Sequence, residues 1–158
     1  MVKLKEGDKI ENFEAESIKR GKFKIYDVIS ENKFTILYFY PRDFTSGCTN
    51  EAIGFKDYYE KLKELGAEVI GISTDDLETH KSFAKKLKID FDLISDKEGK
   101  ISEMFGVLRK VFGKISAQRV TFIIDKEGKI IKIFKKVDPK NHAKEVLEFL
   151  ESYIKTSE

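Results

Sequence analysis

The sequence predicts an α/β layered domain with a mixed sheet, on three observations. Two short apolar runs of β type, Phe34–Tyr40 and Val69–Ser73, each lead into a stretch whose apolar residues recur at three and four positions. Two more β-type runs, Val120–Asp125 and Lys129–Phe134, flank Lys126-Glu127-Gly128, which marks a hairpin. Crossover-linked strands and a hairpin share one sheet only if it carries both parallel and antiparallel pairs. The length of 158 residues suits one domain, spanning 1–158, with a sizeable core.

The elements follow in chain order. Val2–Lys9 is polar apart from Leu4 and is expected to fray. Glu11–Ile18 and Lys22–Val28 alternate weakly about Gly21 and predict a short N-terminal hairpin. Phe34–Tyr40 is β-branched and aromatic throughout, as in a strand buried on both faces, and Pro41 ends it. Ala52, Phe55, Tyr59, Leu62 and Leu65 lie on one helix face, and Gly66 falls at the C′ position. Val69–Ser73 is a second buried strand. Asp75 or Asp76 caps the next helix, which carries Leu77, Phe83, Ala84 and Leu87 and runs to Lys88. Phe91–Ser95 reads as a third strand, Asp96–Gly99 as a turn, and Ile101–Phe105 as a short helical segment ended by Gly106. Lys110–Ser116 reads as an irregular connector about Gly113. The hairpin follows, and then a last helix over about 140–154 with Ala143, Val146, Leu147 and Leu150 on one face. Strand-helix-strand-helix-strand, hairpin and terminal helix is the layout of a thioredoxin-like fold: a central mixed β-sheet flanked by helices, here with an extra N-terminal hairpin.

Charged residues make up 37% of the chain, mostly Lys and Glu, and glutamine occurs once, at Gln118, a balance resembling that of heat-adapted proteins. Lysines and acids are interleaved, and the net charge of +2 gives no push toward nucleic acid or an anionic membrane. The longest apolar run, Phe34–Tyr40, is too short to span a bilayer, and the opening residues resemble no leader, so a cytoplasmic setting is expected. One cysteine allows neither an intrachain disulfide nor an all-cysteine zinc site. Phe13, Phe44, Phe105 and Phe112 are expected in the core.

That cysteine, Cys48, stands in Pro41-Arg42-Asp43-Phe44-Thr45-Ser46-Gly47-Cys48-Thr49-Asn50-Glu51, a polar, turn-forming stretch where a strand hands over to a helix. The first turn of a helix has unpaired N–H groups and a positive dipole end, which favour a thiolate. On spacing alone a reactive thiol and a structural one are evenly matched. Thr45 precedes Cys48 by three residues, so its hydroxyl is expected to accept from the Cys48 N–H as an N-cap, or else to turn toward a ligand. Gly47 permits close approach to the backbone, and Pro41 offers a rigid wall without an N–H. A thiolate also wants a cation. Arg42 is close in sequence; Arg119, before the hairpin and one of only four arginines, supplies a fixed fork of donors.

The run Phe39-Tyr40-Pro41-Arg42-Asp43-Phe44-Thr45-Ser46-Gly47-Cys48-Thr49-Asn50-Glu51-Ala52 resembles the signature of the peroxiredoxins, in particular the bacterioferritin comigratory protein or PrxQ subfamily. Pro41, Thr45 and Cys48 match the Pro-x-x-x-Thr-x-x-Cys core of the superfamily, and the resemblance extends from Gly7-Asp8 through Val69–Ser73 to Arg119 and the hairpin. The resemblance implies a thiol peroxidase with no metal or organic cofactor, acting on hydrogen peroxide and organic hydroperoxides. Cys48 is then the peroxidatic nucleophile and passes through a sulfenic acid. Thr45, the Cys48 N–H and Arg119 hold the peroxide and the leaving oxygen, Pro41 shields them, and Glu51 either orients Arg119 or makes a capping contact.

The chain also departs from that pattern. Many members of the subfamily carry a resolving cysteine five residues after the first, where this chain has Ile53, and no later cysteine exists. A one-cysteine cycle is therefore expected, closed by an external thiol (thioredoxin-like, glutaredoxin-like or a small thiol) or by Cys48 of a second molecule. The segment Ile10-Glu11-Asn12-Phe13 also lacks a proline usual there. The expected state is a monomer or homodimer with no nucleic-acid or membrane partner. A peroxide sensor or redox relay using the same cysteine is the alternative. A cysteine hydrolase needs a histidine base, and His80 and His142 read better as solvated helix residues, too poorly partnered by acids for a metal site.

Overall fold

The computed structural model describes residues 3–157. The expected architecture is present. A seven-stranded sheet runs in the order β2-β1-β5-β4-β3-β8-β9, with β1 Glu14–Ser17, β2 Gly21–Lys24, β3 Phe34–Phe39, β4 Ala67–Ser73, β5 Asp92–Ser95, β8 Val120–Asp125 and β9 Ile130–Phe134. The centre, β3–β4–β5, is parallel; β8 and β9 add antiparallel pairs on one side, and β1 and β2 on the other.

Period-two alternation in β3 explains why its whole run is apolar. Ile36 and Tyr38 face one core, with α2 (Ser46–Glu64), α3 (Leu77–Leu87) and α5 (His142–Ser157). Leu37 and Phe39 face a second core, under α1 (Ile25–Ile29) and α4 (Lys100–Met104). Both faces are covered, so the central strands have no polar side to show water. Ala52, Phe55, Tyr59 and Leu62 form the buried face of α2. Asp76, not Asp75, caps α3 by accepting from the Thr79 N–H, and Lys88 closes that helix in the left-handed conformation.

Three expectations fail. The segment Lys22–Val28 is half strand and half helix, because Ile25, Val28 and Ile29 meet the second core with helical spacing as α1. Residues 7–10 do not fray: Gly7 donates to the Ile130 carbonyl (2.8 Å), Ile130 to Asp8 (2.8 Å) and Ile10 to Gly128 (2.9 Å). Leu4 packs against the second core as well, while Val2 of that stretch lies outside the described residues. The expected connector is a second hairpin, β6 (Leu108–Val111) and β7 (Lys114–Ala117), turned by Phe112 and Gly113 at φ 51 and 77. Two central residues with positive φ match a two-residue hairpin turn, a pattern usually signalled by Asn-Gly.

Candidate active site

β3 delivers the chain to Pro41, which stays half-buried where the loop to α2 begins. Phe44 takes a left-handed φ of 68, and Thr45 then adopts the extended geometry of an N-cap, φ −78 and ψ 154. The Thr45 backbone carbonyl accepts from the Thr49 N–H at 2.9 Å. Its hydroxyl does not cap the helix: it donates to the Arg42 carbonyl at 2.9 Å, which corrects the expected bond from the Cys48 N–H. The loop folds back tightly enough to offer that acceptor three residues away, and Thr45 remains exposed at the helix mouth.

Cys48 is the third residue of α2 and is only 1% exposed. Arg119, immediately before β8, donates from Nη2 to Cys48 Sγ at 3.4 Å and from Nη1 to Glu51 Oε1 at 2.7 Å. One guanidinium thus spans the Cys48 sulfur and a wholly buried carboxyl group one turn further along the same helix. Glu51 pairs with Arg119, and among the described residues no side chain caps the start of α2. Arg42, the other nearby arginine, is exposed. Gly47 makes room for the fork: a β-carbon there would stand 3.0 Å from Arg119 Nη2 and 3.6 Å from Pro139 Cγ. Pro139, in the loop entering α5, therefore lies beside Arg119 over the first turn of α2.

The charges in this cluster are tuned by burial. Burial pushes the Glu51 carboxyl up to about 7, although Arg119 pulls the other way by charge and hydrogen bond. Burial opposes the Arg119 charge, but Cys48 and Glu51 outweigh it and hold the guanidinium above its ordinary value. The second oxygen of Glu51 and the hydroxyl of Tyr38 are buried with no hydrogen-bond partner among the described residues. Tyr38 stacks on Phe55 (4.6 Å) and Tyr40 (5.3 Å), and burial, then Glu51, raises its pKa.

A second polar cluster braces the loop from behind. His80 on α3 is fully buried, with Nδ1 2.6 Å from Asp43 Oδ2 and Nε2 2.9 Å from the Ile94 carbonyl. The Tyr40 hydroxyl donates to Asp43 Oδ1 at 2.6 Å, and the Asp43 N–H donates to Asp75 Oδ2 at 2.8 Å. Asp43, Asp75 and His80 bring ligand-type atoms within 4.8 Å of one another, but those atoms are engaged in these bonds and in one from Ser73 Oγ to Asp75 Oδ2 (2.5 Å). His142 is buried too, with Nε2 2.7 Å from Thr121 Oγ1 and the ring edge-on to Phe55 and Phe134; burial lowers its pKa. The expectation of two solvated histidines is corrected. Helical spacing carries the reason: His80, Phe83, Ala84 and Leu87 share one face of α3, and His142, Val146 and Leu150 one face of α5.

Of the expected site residues, Cys48, Arg119, Glu51 and Gly47 meet directly. Thr45 sits at the helix mouth, Pro41 at the head of the loop, and Ile53 is 38% exposed on α2. Phe13 and Phe105 pack together in the second core (5.9 Å), whereas Phe44 and Phe112 are exposed, contrary to expectation. Phe44 still lies edge-on against Phe83.

Comparison with known proteins agrees with this geometry. Residues 6–133 match the AhpC/TSA family. Peroxiredoxin Bcp of Bacillus subtilis is 46% identical over 124 residues, 76% of this chain and 79% of that protein. Peroxiredoxin Q, chloroplastic, of Gentiana triflora is 45% identical over 123 residues, 77% of this chain but 56% of the plant protein. Among solved structures, peroxidoxin BcpB from Mycobacterium tuberculosis superposes with a TM-score of 0.87 at 32% identity, covering 94% of this chain and 97% of that one. A mutant of Xylella fastidiosa PrxQ gives 0.88 at 27% identity, covering 96% and 98%. A strand-to-helix loop that presents one cysteine to an arginine, in a chain this similar to them, belongs to the Bcp/PrxQ peroxiredoxins of the AhpC/TSA family, which are thiol-dependent peroxidases.

Proposed function

We propose that this chain reduces hydrogen peroxide and organic hydroperoxides through a sulfenic acid on Cys48 and is regenerated by an external thiol, in a one-cysteine cycle. The observation that carries the reading is the Arg119 bridge, 3.4 Å from Cys48 Sγ and 2.7 Å from Glu51 Oε1. A guanidinium donating to sulfur is worth more to a thiolate than to a thiol.

The thiolate attacks the terminal oxygen of the peroxide. The O–O bond breaks with its electron pair going to the leaving oxygen, which takes up a proton and departs as water or alcohol. The sulfur is left as S–OH, oxidised by two electrons. Arg119 and the Cys48 N–H supply donors for the oxygen that gains charge, while the Thr45 hydroxyl, whose hydrogen goes to the Arg42 carbonyl, presents its lone pairs to the peroxide O–H. Glu51 keeps the fork aimed, Gly47 keeps its approach open, and Pro41 shields the pocket. An incoming thiol then attacks the S–OH sulfur and releases water as a mixed disulfide forms; a second thiol frees Cys48. A reducing compartment such as the cytoplasm supplies such thiols. No second cysteine stands in the chain to replace the first of them.

Because Cys48 is 1% exposed, the incoming thiol reaches its sulfur only after the loop before α2 opens. Steady-state peroxide consumption with a panel of thioredoxin-like, glutaredoxin-like and small thiols tests the cycle. Many turnovers with at least one reductant are expected, and none for Cys48→Ser. Turnover by the serine variant would overturn the assignment; a single turnover per wild-type chain with every reductant would replace catalysis by sensing or relay.

A further inference from the structure

The β6–β7 hairpin presents the most exposed apolar side chain of the described residues. Phe112 is 101% exposed and Val111 49%, and all six residues from Arg109 to Lys114 are exposed. Phe112 also holds a φ of 51. A bulky L-residue is strained in the left-handed region. No packing offsets that strain here, and an Asn-Gly pair would make the same turn without it. A strained aromatic left wholly in water points to something that covers it.

The charge around the tip indicates what. Met104 to Ile124 is the longest stretch of the chain without an acidic residue, and Arg109, Lys110 and Lys114 all stand on the exposed half of the hairpin. Beside its base a shallow hollow is lined by Lys3, Glu103, Gly106, Leu108 and Lys110, so Glu103 is the one acid there among the described residues. The base itself is anchored: Leu108 and Ile115 close over Gly99, and the Thr74 hydroxyl donates to the Ile115 carbonyl at 3.3 Å. The finger is rigidly rooted, convex, cationic on its flanks and apolar at its point.

A protein partner of ordinary size needs several hundred Å² from each side with a buried apolar centre. A two-residue tip does not supply it. A second copy docked tip to tip would oppose like charges across a two-fold axis. An anionic bilayer has neither difficulty: it needs only an aromatic at acyl depth and cations at the headgroups. We propose that the β6–β7 hairpin is a membrane-surface finger, inserting Phe112 and Val111 into an anionic lipid interface while Arg109, Lys110 and Lys114 pair with its headgroups. The interleaved charge of the whole chain conceals this local bias, and the proposal departs from the expectation of no membrane partner at this one surface.

The chain contains no tryptophan, so Phe112→Trp installs a single reporter. The full-length variant is mixed with vesicles of phosphatidylcholine alone or containing about a third phosphatidylglycerol, and flotation of wild type is measured in parallel. A blue shift and flotation are expected only with the anionic vesicles. Phe112→Asp is expected to lower partitioning at least tenfold, the usual scale for one buried aromatic. Each of Arg109, Lys110 and Lys114 changed to Gln is expected to lower it roughly fivefold. Hydrogen peroxide reduction by Phe112→Asp stays at the wild-type rate, which shows that the variant is folded. No shift with anionic vesicles, equal binding to both vesicle types, or binding that survives Phe112→Asp would overturn the proposal. So would an emission shift in Phe112→Trp that follows protein concentration without vesicles, which assigns the tip to a second copy.

Discussion

Arg119 ties Cys48 to Glu51, and the two contacts make separable predictions. Changing Arg119 to Met removes one positioned donor from sulfur and peroxide. Pre-steady-state peroxide reduction is expected to slow by about 10²- to 10³-fold, the usual loss for one such donor; an unchanged rate would remove Arg119 from the site. Glu51 carries the pH dependence. Its carboxyl rises from 4.5 to about 7 in the folded chain, so between those values the native state binds more protons than the unfolded one. Its contribution to stability therefore falls as pH rises from about 4.5 to 7, by up to about 3 kcal/mol in all. Urea unfolding at pH 5 and pH 8 is expected to show this decline in wild type and a smaller one in Glu51→Gln. Identical pH dependence in the two proteins would show that Glu51 does not titrate in this window.

At the scale of elements, the loop between β3 and α2 hangs between two supports, Arg119 in front and the Asp43–His80 bond behind. Replacing His80 with Leu takes the Nδ1 partner from buried Asp43 Oδ2, a loss of about 1–3 kcal/mol for a buried polar group left unpaired. Denaturant unfolding is expected to register that loss. Cys48, buried in the wild type, is also expected to react faster with a bulky maleimide, because the loop loses its hold on α3. Alkylation at the wild-type rate would mean that another contact governs access to the sulfur. The legibility of these elements follows one rule. Helices and strands that meet a core announce themselves by period, as α2 and β3 do. The β6–β7 hairpin does not, because its outer half is exposed and its turn uses Phe-Gly in place of Asn-Gly. The N-terminal residues 7–10 mislead for a related reason: their partners around β9 bond to backbone, which leaves no trace in side-chain pattern.

Across the whole molecule, the sheet brings Cys48 from the start of α2 and Arg119 from the start of β8 to one end of neighbouring strands, which pair Phe39 with Val120. Arg119 stands out as one of four arginines, placed at a strand start, but 71 residues of chain separate it from Cys48, and the resemblance of the cysteine motif is what favours it over Arg42. The bond between Asp43 and His80 leaves no comparable signature, although helical spacing places His80 on a buried face. The same whole-chain view explains the central chemical consequence of a single cysteine. In the proposed cycle, oxidised Cys48 finds no second cysteine in this chain and is expected to persist until a thiol arrives or a second peroxide carries it to sulfinic acid. Intact mass after one equivalent of peroxide, without added thiol, tests this most directly. The account predicts a monomer heavier by one oxygen, localised to Cys48, returning to its original mass with thiol and gaining a second oxygen with excess peroxide. A chain that consumes the peroxide yet carries no added oxygen at Cys48, and forms no Cys48-linked dimer, would contradict it.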